Sequence, residues 1–196
     1  MGDKIQIKSW GEGIAMTMSN PLFEHTIFIN LESRVDRHMQ IKQELQRWGI
    51  NEPIRFNAVK MAEGAIGCSM SHIKCLELAK ERDYPHVFIC EDDMCCIDIP
   101  TMMRKMKWFY ETYGTTDAWD VLIVSGNNGP PYKQVDDGLL QVYNCQAATG
   151  YIVQRHYYDK IIANFREGLA GLIREPKQKP LYAVDMYCKH LQKKDR

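Results

Sequence analysis

Residues His86-Val87-Phe88-Ile89-Cys90 form a short apolar run that stops at three successive carboxylates, Glu91, Asp92 and Asp93. Such a run reads as a buried strand of an α/β sheet. Folds of that kind place ligands just outside the carboxyl ends of their strands. Carboxylates there suit a divalent metal, because hard cations such as Mg²⁺ and Mn²⁺ prefer oxygen ligands and accept substrate phosphates in the same shell. The run therefore points to a metal-dependent site for a phosphorylated or nucleotide-linked substrate.

A single domain with a substantial core accommodates the 196 residues, 45% of them hydrophobic, and that content argues against disorder. The 25 basic and 25 acidic residues balance. No overall field recruits nucleic acid or an anionic membrane. Seven cysteines are an odd count without disulfide-framework spacing, which fits reduced thiols in an intracellular, cytoplasmic setting. No stretch approaches the roughly 20 apolar residues that span a bilayer.

Residues 1–24 carry Gly and Ser without a clear period and read as a poorly fixed arm, with the domain over 25–196. A strand is expected over Thr26–Leu31, then a helix in which Ile41, Leu45 and Trp48 share one face before Gly49 ends it. A second strand at Ile54–Val59 precedes a helix from about Ser69 to Glu81, with Tyr84-Pro85 closing it ahead of the acidic strand. This β-α-β-α-β order predicts a largely parallel sheet with helices on its faces. Asp98 reads as the N-cap of a helix to about Tyr113. Further strands are expected at Trp119–Ser125, Leu139–Tyr143 and Gly150–Gln154, with a mobile loop over Ser125–Pro131 and a helix over Tyr157–Phe165.

Three segments in order, Ile29-Asn30-Leu31-x-x-Arg34-x-Asp36-Arg37, Gly64-x-Ile66-Gly67-Cys68-x-x-Ser71-His72 and Glu91-Asp92-Asp93, are joined later by Trp119-Asp120-Val121-Leu122, Thr149-Gly150-Tyr151-Ile152-Val153 and Val184-Asp185. Together they resemble glycosyltransferase family 25, which includes bacterial lipooligosaccharide and procollagen hydroxylysine galactosyltransferases. The texture between the motifs resembles versions carried by large DNA viruses. The resemblance implies a GT-A fold, a Rossmann-like open mixed sheet flanked by helices. It also implies a nucleotide-sugar donor, most often UDP-galactose or UDP-glucose, and a Mn²⁺-type metal at the acidic motif. The acceptor would be a glycan, a lipid-linked sugar or a hydroxylysine-type hydroxyl. The chain departs from the family in a shorter segment between Val59 and Gly64, in Tyr157-Tyr158, and in the absence of the family's C-terminal strand. A homodimer is compatible with this reading without being required by it.

The residues divide into roles. In an extended segment alternate side chains share a face, so Glu91 and Asp93 are expected together as metal ligands, with Asp92 turned toward the donor. The alternative is a solvated acidic loop. Asn30, Leu31, Arg34, Asp36 and Arg37 follow the first strand, where cations can meet phosphates and a carboxylate can orient them or bind ribose; the plainer reading is the solvated first turn of a helix. Ser71 and His72 are expected near a helix N-terminus, which favours an anion, with His72 reaching the diphosphate or the sugar. Cys68, His72 and Cys75 also fall on one helical face, a spacing open to zinc with a fourth ligand from Cys95-Cys96, or to two small core cysteines. Asp185 is the candidate base for the acceptor hydroxyl, with an N-cap role as the alternative. Rival functions are a noncatalytic nucleotide-sugar or glycan-binding protein, a structural interaction protein, and a metal-dependent phosphohydrolase.

Overall fold

The computed structural model describes residues 20–136 and 138–195, so most of the expected arm, residues 1–19, lies outside the described residues. Of residues 20–24, Asn20, Leu22 and Phe23 are buried. A 3₁₀ turn at Pro21–Phe23 is capped by the Asn20 side chain, and it buries Leu22 and Phe23, the latter against Trp48 and Phe88.

The central sheet has five strands in the order β2-β1-β3-β7-β4. These are β1 (Thr26–Asn30), β2 (Ile54–Asn57), β3 (His86–Glu91), β4 (Val121–Asn128) and β7 (Cys145–Gln154). β1 pairs in parallel with β2 and β3, whereas β7 runs antiparallel to both β3 and β4. The sheet is therefore open and mixed, with its parallel half where the β-α-β-α-β order predicts it. A separate hairpin joins β5 (Tyr132–Asp136) to β6 (Leu139–Val142). The expected mobile loop after Ser125 is in part strand, because β4 continues to Asn128 through two register shifts against β7.

Both faces of the sheet are covered. On one face Ile27, Ile29, Val87, Ile89, Tyr151 and Val153 pack against α2 (Gly64–Glu81) and α4 (Tyr158–Arg174). On the other, Phe28, Phe88, Cys90 and Ile152 meet α1 (Val35–Arg47) and α3 (Ile99–Tyr113). Odd- and even-numbered residues of β1 and β3 separate cleanly between these layers, as strand geometry requires. Three short helices, α5 (Lys179–Tyr182), α6 (Val184–Tyr187) and α7 (Lys189–Gln192), follow α4. Among the described residues, no helix is long and apolar enough to cross a membrane.

From β1 the chain crosses to β2 on one side and returns to β3 on the other, so the strand order reverses between β1 and β3. At such a reversal the connections leave on opposite faces and open a crevice beyond the carboxyl ends of the strands. Asn30 to Arg37 and Glu91 to Asp93 lie at those ends.

Glu44 on α1 fixes the segment that follows the acidic triplet. It is only 6% exposed, and it accepts hydrogen bonds from the Trp48 indole at 3.0 Å, the Cys96 amide at 2.7 Å and Arg47 at 2.6 Å. Burial pushes its carboxyl up, but these donors outweigh burial and hold it below the ordinary carboxylate range. Its contribution to stability is then complete above the unfolded-state value of about 4.3 and is lost as pH falls through the lower folded value. Glu44→Gln should cost about 1–3 kcal/mol at neutral pH. Urea unfolding of both proteins from neutral to strongly acidic pH should show the difference shrinking only below about pH 4.

Candidate active site

The acidic triplet splits between the two helical layers. Glu91 is the last residue of β3 and shares the parity of Val87 and Ile89, so it faces α2. There its Oε1 lies 3.3 Å from His72 Nε2 and 3.4 Å from Cys68 Sγ. The hydrogen bond from His72 is the main reason the Glu91 carboxyl sits below its usual range. Asp92, of opposite parity, turns to the α1 side. It is buried and accepts from Asn30 Nδ2 at 2.7 Å and Arg37 Nη1 at 3.1 Å.

Asp93 does not join Glu91. The strand ends at Glu91, the chain turns with the Met94 amide on the Glu91 carbonyl, and Asp93 accepts from the same Arg37 nitrogen at 2.9 Å. Strand alternation, the basis for pairing Glu91 with Asp93, stops two residues short of Asp93.

The residues after β1 are held largely by one another. Asn30 is buried; its amide donates to Asp92 and to the Arg34 carbonyl, and its oxygen accepts from Arg55 at 3.0 Å. Leu31 is half-buried in the turn that follows. Arg34 and Asp36 form an exposed two-point pair at 2.9 and 2.6 Å, whose hydrogen bonds hold the Asp36 carboxyl down at about 2. Arg37 is the cation that reaches the acidic motif.

α2 begins at Gly64 rather than near Ser69, so Ser71 and His72 lie well inside the helix instead of at its N-terminus. Ser71 is fully buried; it donates to the Gly67 carbonyl at 2.7 Å and accepts from the Val59 amide at 2.9 Å. His72 is also fully buried, its Nδ1 2.8 Å from the Tyr151 hydroxyl. Burial pushes the Tyr151 hydroxyl up, so it keeps its proton. A neutral imidazole then satisfies both contacts in one tautomer, with Nδ1 accepting from Tyr151 and Nε2–H donating to Glu91. Desolvation and the neighbouring Glu91 charge push the Cys68 thiol far up. Cys75 is not part of this group; it packs in the core with Leu76 and Ala79.

A cleft of about 620 Å³ opens beside this cluster, with Cys68, Glu91, Ser125, Asn127, Gln146 and Asp185 among its lining residues. The fold thus brings Glu91 and Asp185 to one cavity from positions 94 residues apart, the difference between 91 and 185. Asp185 lies in the first turn of α6 and makes no cap; its Oδ2 accepts from Gln146 Nε2 at 2.7 Å. Gln146, on β7, escaped the sequence reading because nothing local marks a glutamine that orients a carboxylate 39 residues away. Tyr151 enters the sequence only as a member of the Thr149–Val153 motif, since its hydroxyl acquires a partner through the β3–β7 pairing.

The architecture is a Rossmann-like α/β fold of the GT-A type, with its cleft beyond the carboxyl end of β3. A family model described as glycosyltransferase family 25 (LPS biosynthesis protein) matches residues 55–99, from β2 through α2 and β3 to the start of α3. The match supports the resemblance carried by the Gly64–His72 and Glu91–Asp93 motifs, and it implies glycosyltransferase activity as a class, with sugar donor and acceptor as partners. No curated protein matches the chain.

Proposed function

We propose that the protein transfers a hexose, galactose or glucose, from a UDP-sugar to a hydroxyl of a glycan, lipid-linked or hydroxylysine-type acceptor. The observation that carries this reading is the meeting of Glu91 and Asp185 in one polar cleft at the end of β3, within a fold of the GT-A type. Asp185, oriented by Gln146, is the group to take the proton from the acceptor hydroxyl. Arg37, and Arg34 beside it, are the cations suited to the donor's diphosphate.

The donor chemistry of the carboxylates suits Mn²⁺ or Mg²⁺, with Glu91 and Asp93 as the residues to hold it. Asp93 must leave Arg37 to do so, but that pair is substantially exposed at 34% and 47%, and such pairs contribute only about 0–1 kcal/mol. Exchange frees the Arg37 guanidinium on that side for phosphate. A bound cation would stabilise the charge that develops on the departing diphosphate. Asn30 and Asp92 support Arg37 rather than meet the donor, since their polar atoms are engaged with each other and with Arg37, Arg34 and Arg55.

Release of UDP from UDP-galactose and UDP-glucose, with GDP-mannose as control and with Mn²⁺ or chelator, tests the reading. Metal-dependent, uridine-selective release supports it. Binding without release would favour the noncatalytic alternative, and a folded protein that binds no nucleotide would overturn the proposal. Arg34→Ala should weaken UDP binding about tenfold through loss of one charge-assisted contact, with the unfolding midpoint unchanged because the pair with Asp36 is exposed. Calorimetry and a denaturant titration read these two effects separately.

A further inference from the structure

We propose that Cys68, His72 and Glu91 form a binding site for a borderline-soft divalent cation of the zinc class, with a fourth position open to the cleft. A sulfur, an imidazole nitrogen and a carboxylate oxygen lie within 4.8 Å of one another, the one such group of three or more among the described residues. Cys68 Sγ and His72 Nε2 both converge on Glu91 Oε1, at 3.4 and 3.3 Å, so the three donors already surround a common point. Cys68 and His72 stand four residues apart on α2 and so share a helical face, while Glu91 arrives from the end of β3.

The mixed sulfur, nitrogen and oxygen set is the donor chemistry of zinc, not that of Mg²⁺ or Mn²⁺, which take oxygen ligands. Three protein ligands plus one exchangeable position is the arrangement of a reactive rather than a closed structural zinc site. Cys68 and Glu91 line the cleft, which supplies that position. The Tyr151 hydroxyl on His72 Nδ1 is the outer partner that holds a metal-bound imidazole in place. Binding displaces the Cys68 thiol proton to solvent. The His72 Nε2 proton is also displaced and is regained at Nδ1, where Tyr151 Oη becomes the acceptor, so one proton is released overall.

The site shares Glu91 with the proposed transfer reaction but does not depend on that reaction. Its test therefore reads metal binding and not turnover. The full chain is titrated with Co²⁺, the thiolate-to-cobalt absorption is followed, and Zn²⁺, Mn²⁺ and Mg²⁺ are added as competitors. A thiolate band that Zn²⁺ abolishes and Mg²⁺ leaves intact is expected. Cys68→Ser, which keeps a hydrogen-bonding group beside Glu91, should lose the band and weaken Zn²⁺ binding by at least about a hundredfold, the upper end of what loss of an outer-shell partner costs. A double replacement, Cys95→Ser with Cys96→Ser, should leave both unchanged. Absence of the band in the folded native chain would overturn the proposal, as would a band that survives Cys68→Ser and disappears in the double variant. Failure of donor hydrolysis would bear only on the transferase reading.

Discussion

Glu91→Gln is expected to lower sugar transfer by about two to three orders of magnitude, the scale on which removal of one preorganised electrostatic group acts. The amide retains an oxygen that can accept from His72 and Cys68 while the negative charge is lost, so the denaturation midpoint should move little. The neighbouring carboxylates should behave differently. Asp92→Ala removes the acceptor for Asn30, a buried amide, and for Arg37, and should destabilise the fold by about 2–3 kcal/mol. Asp93→Ala removes only a surface partner of Arg37; it should leave the fold intact and abolish metal-dependent turnover. Denaturant titration of the three variants, paired with UDP release at saturating and limiting Mn²⁺, separates chemistry, folding and metal dependence. Equal loss of stability in all three would contradict the division of the triplet between the two layers.

Gly67→Ala is expected to destabilise the protein by about 2–3 kcal/mol, in the range of overpacking strain. A Cβ at this position would overlap the Val59 carbonyl oxygen, a backbone atom that cannot swing aside. The same contact is clamped by Ser71, which bonds both the Val59 amide and the Gly67 carbonyl. Relief of the clash would thus require α2 to move away from the segment after β2, and Cys68 and His72 would move with it. Gly64→Ala is the control: nothing lies within 4 Å of its added methyl group, and helix propensity favours alanine by up to about 1 kcal/mol. Opposite shifts in the denaturation midpoint are expected for the two replacements, and equal shifts would rule out the close approach as the cause.

The parts of the fold that depend on local pattern were legible in the sequence. The apolar run ending at Glu91 is β3, Ile41, Leu45 and Trp48 do share a buried face, and Gly49 follows α1 with φ +79°, a left-handed conformation that glycine adopts readily. Two helices run further than expected, α2 starting at Gly64 and α4 continuing to Arg174. Gly67 in α2 and Gly168 and Gly171 in α4 lie in the stretches that the expected bounds left out, and each permits close packing, the last two against Tyr182 and Tyr187 from the terminal helices. The β5 strand was missed because all of its residues are exposed and no alternation marks it. At the site, the positions of Glu91 at the end of β3 and of Arg37 after β1 could be read. The Gln146–Asp185 contact and the Tyr151–His72 contact, 39 and 79 residues apart, could not, because only the tertiary fold creates them.

The parity of β3 also makes it a ruler for the chemistry it delivers. Its interior positions are all buried, so the core fixes which residues face which layer, and the same count determines that Glu91 enters the cleft and Asp92 enters the arginine cradle. Insertion or deletion of one residue within Val87–Cys90 would exchange the destinations of the two acids even if the apolar residues repacked without loss. An engineer seeking to lengthen this strand must therefore work in steps of two.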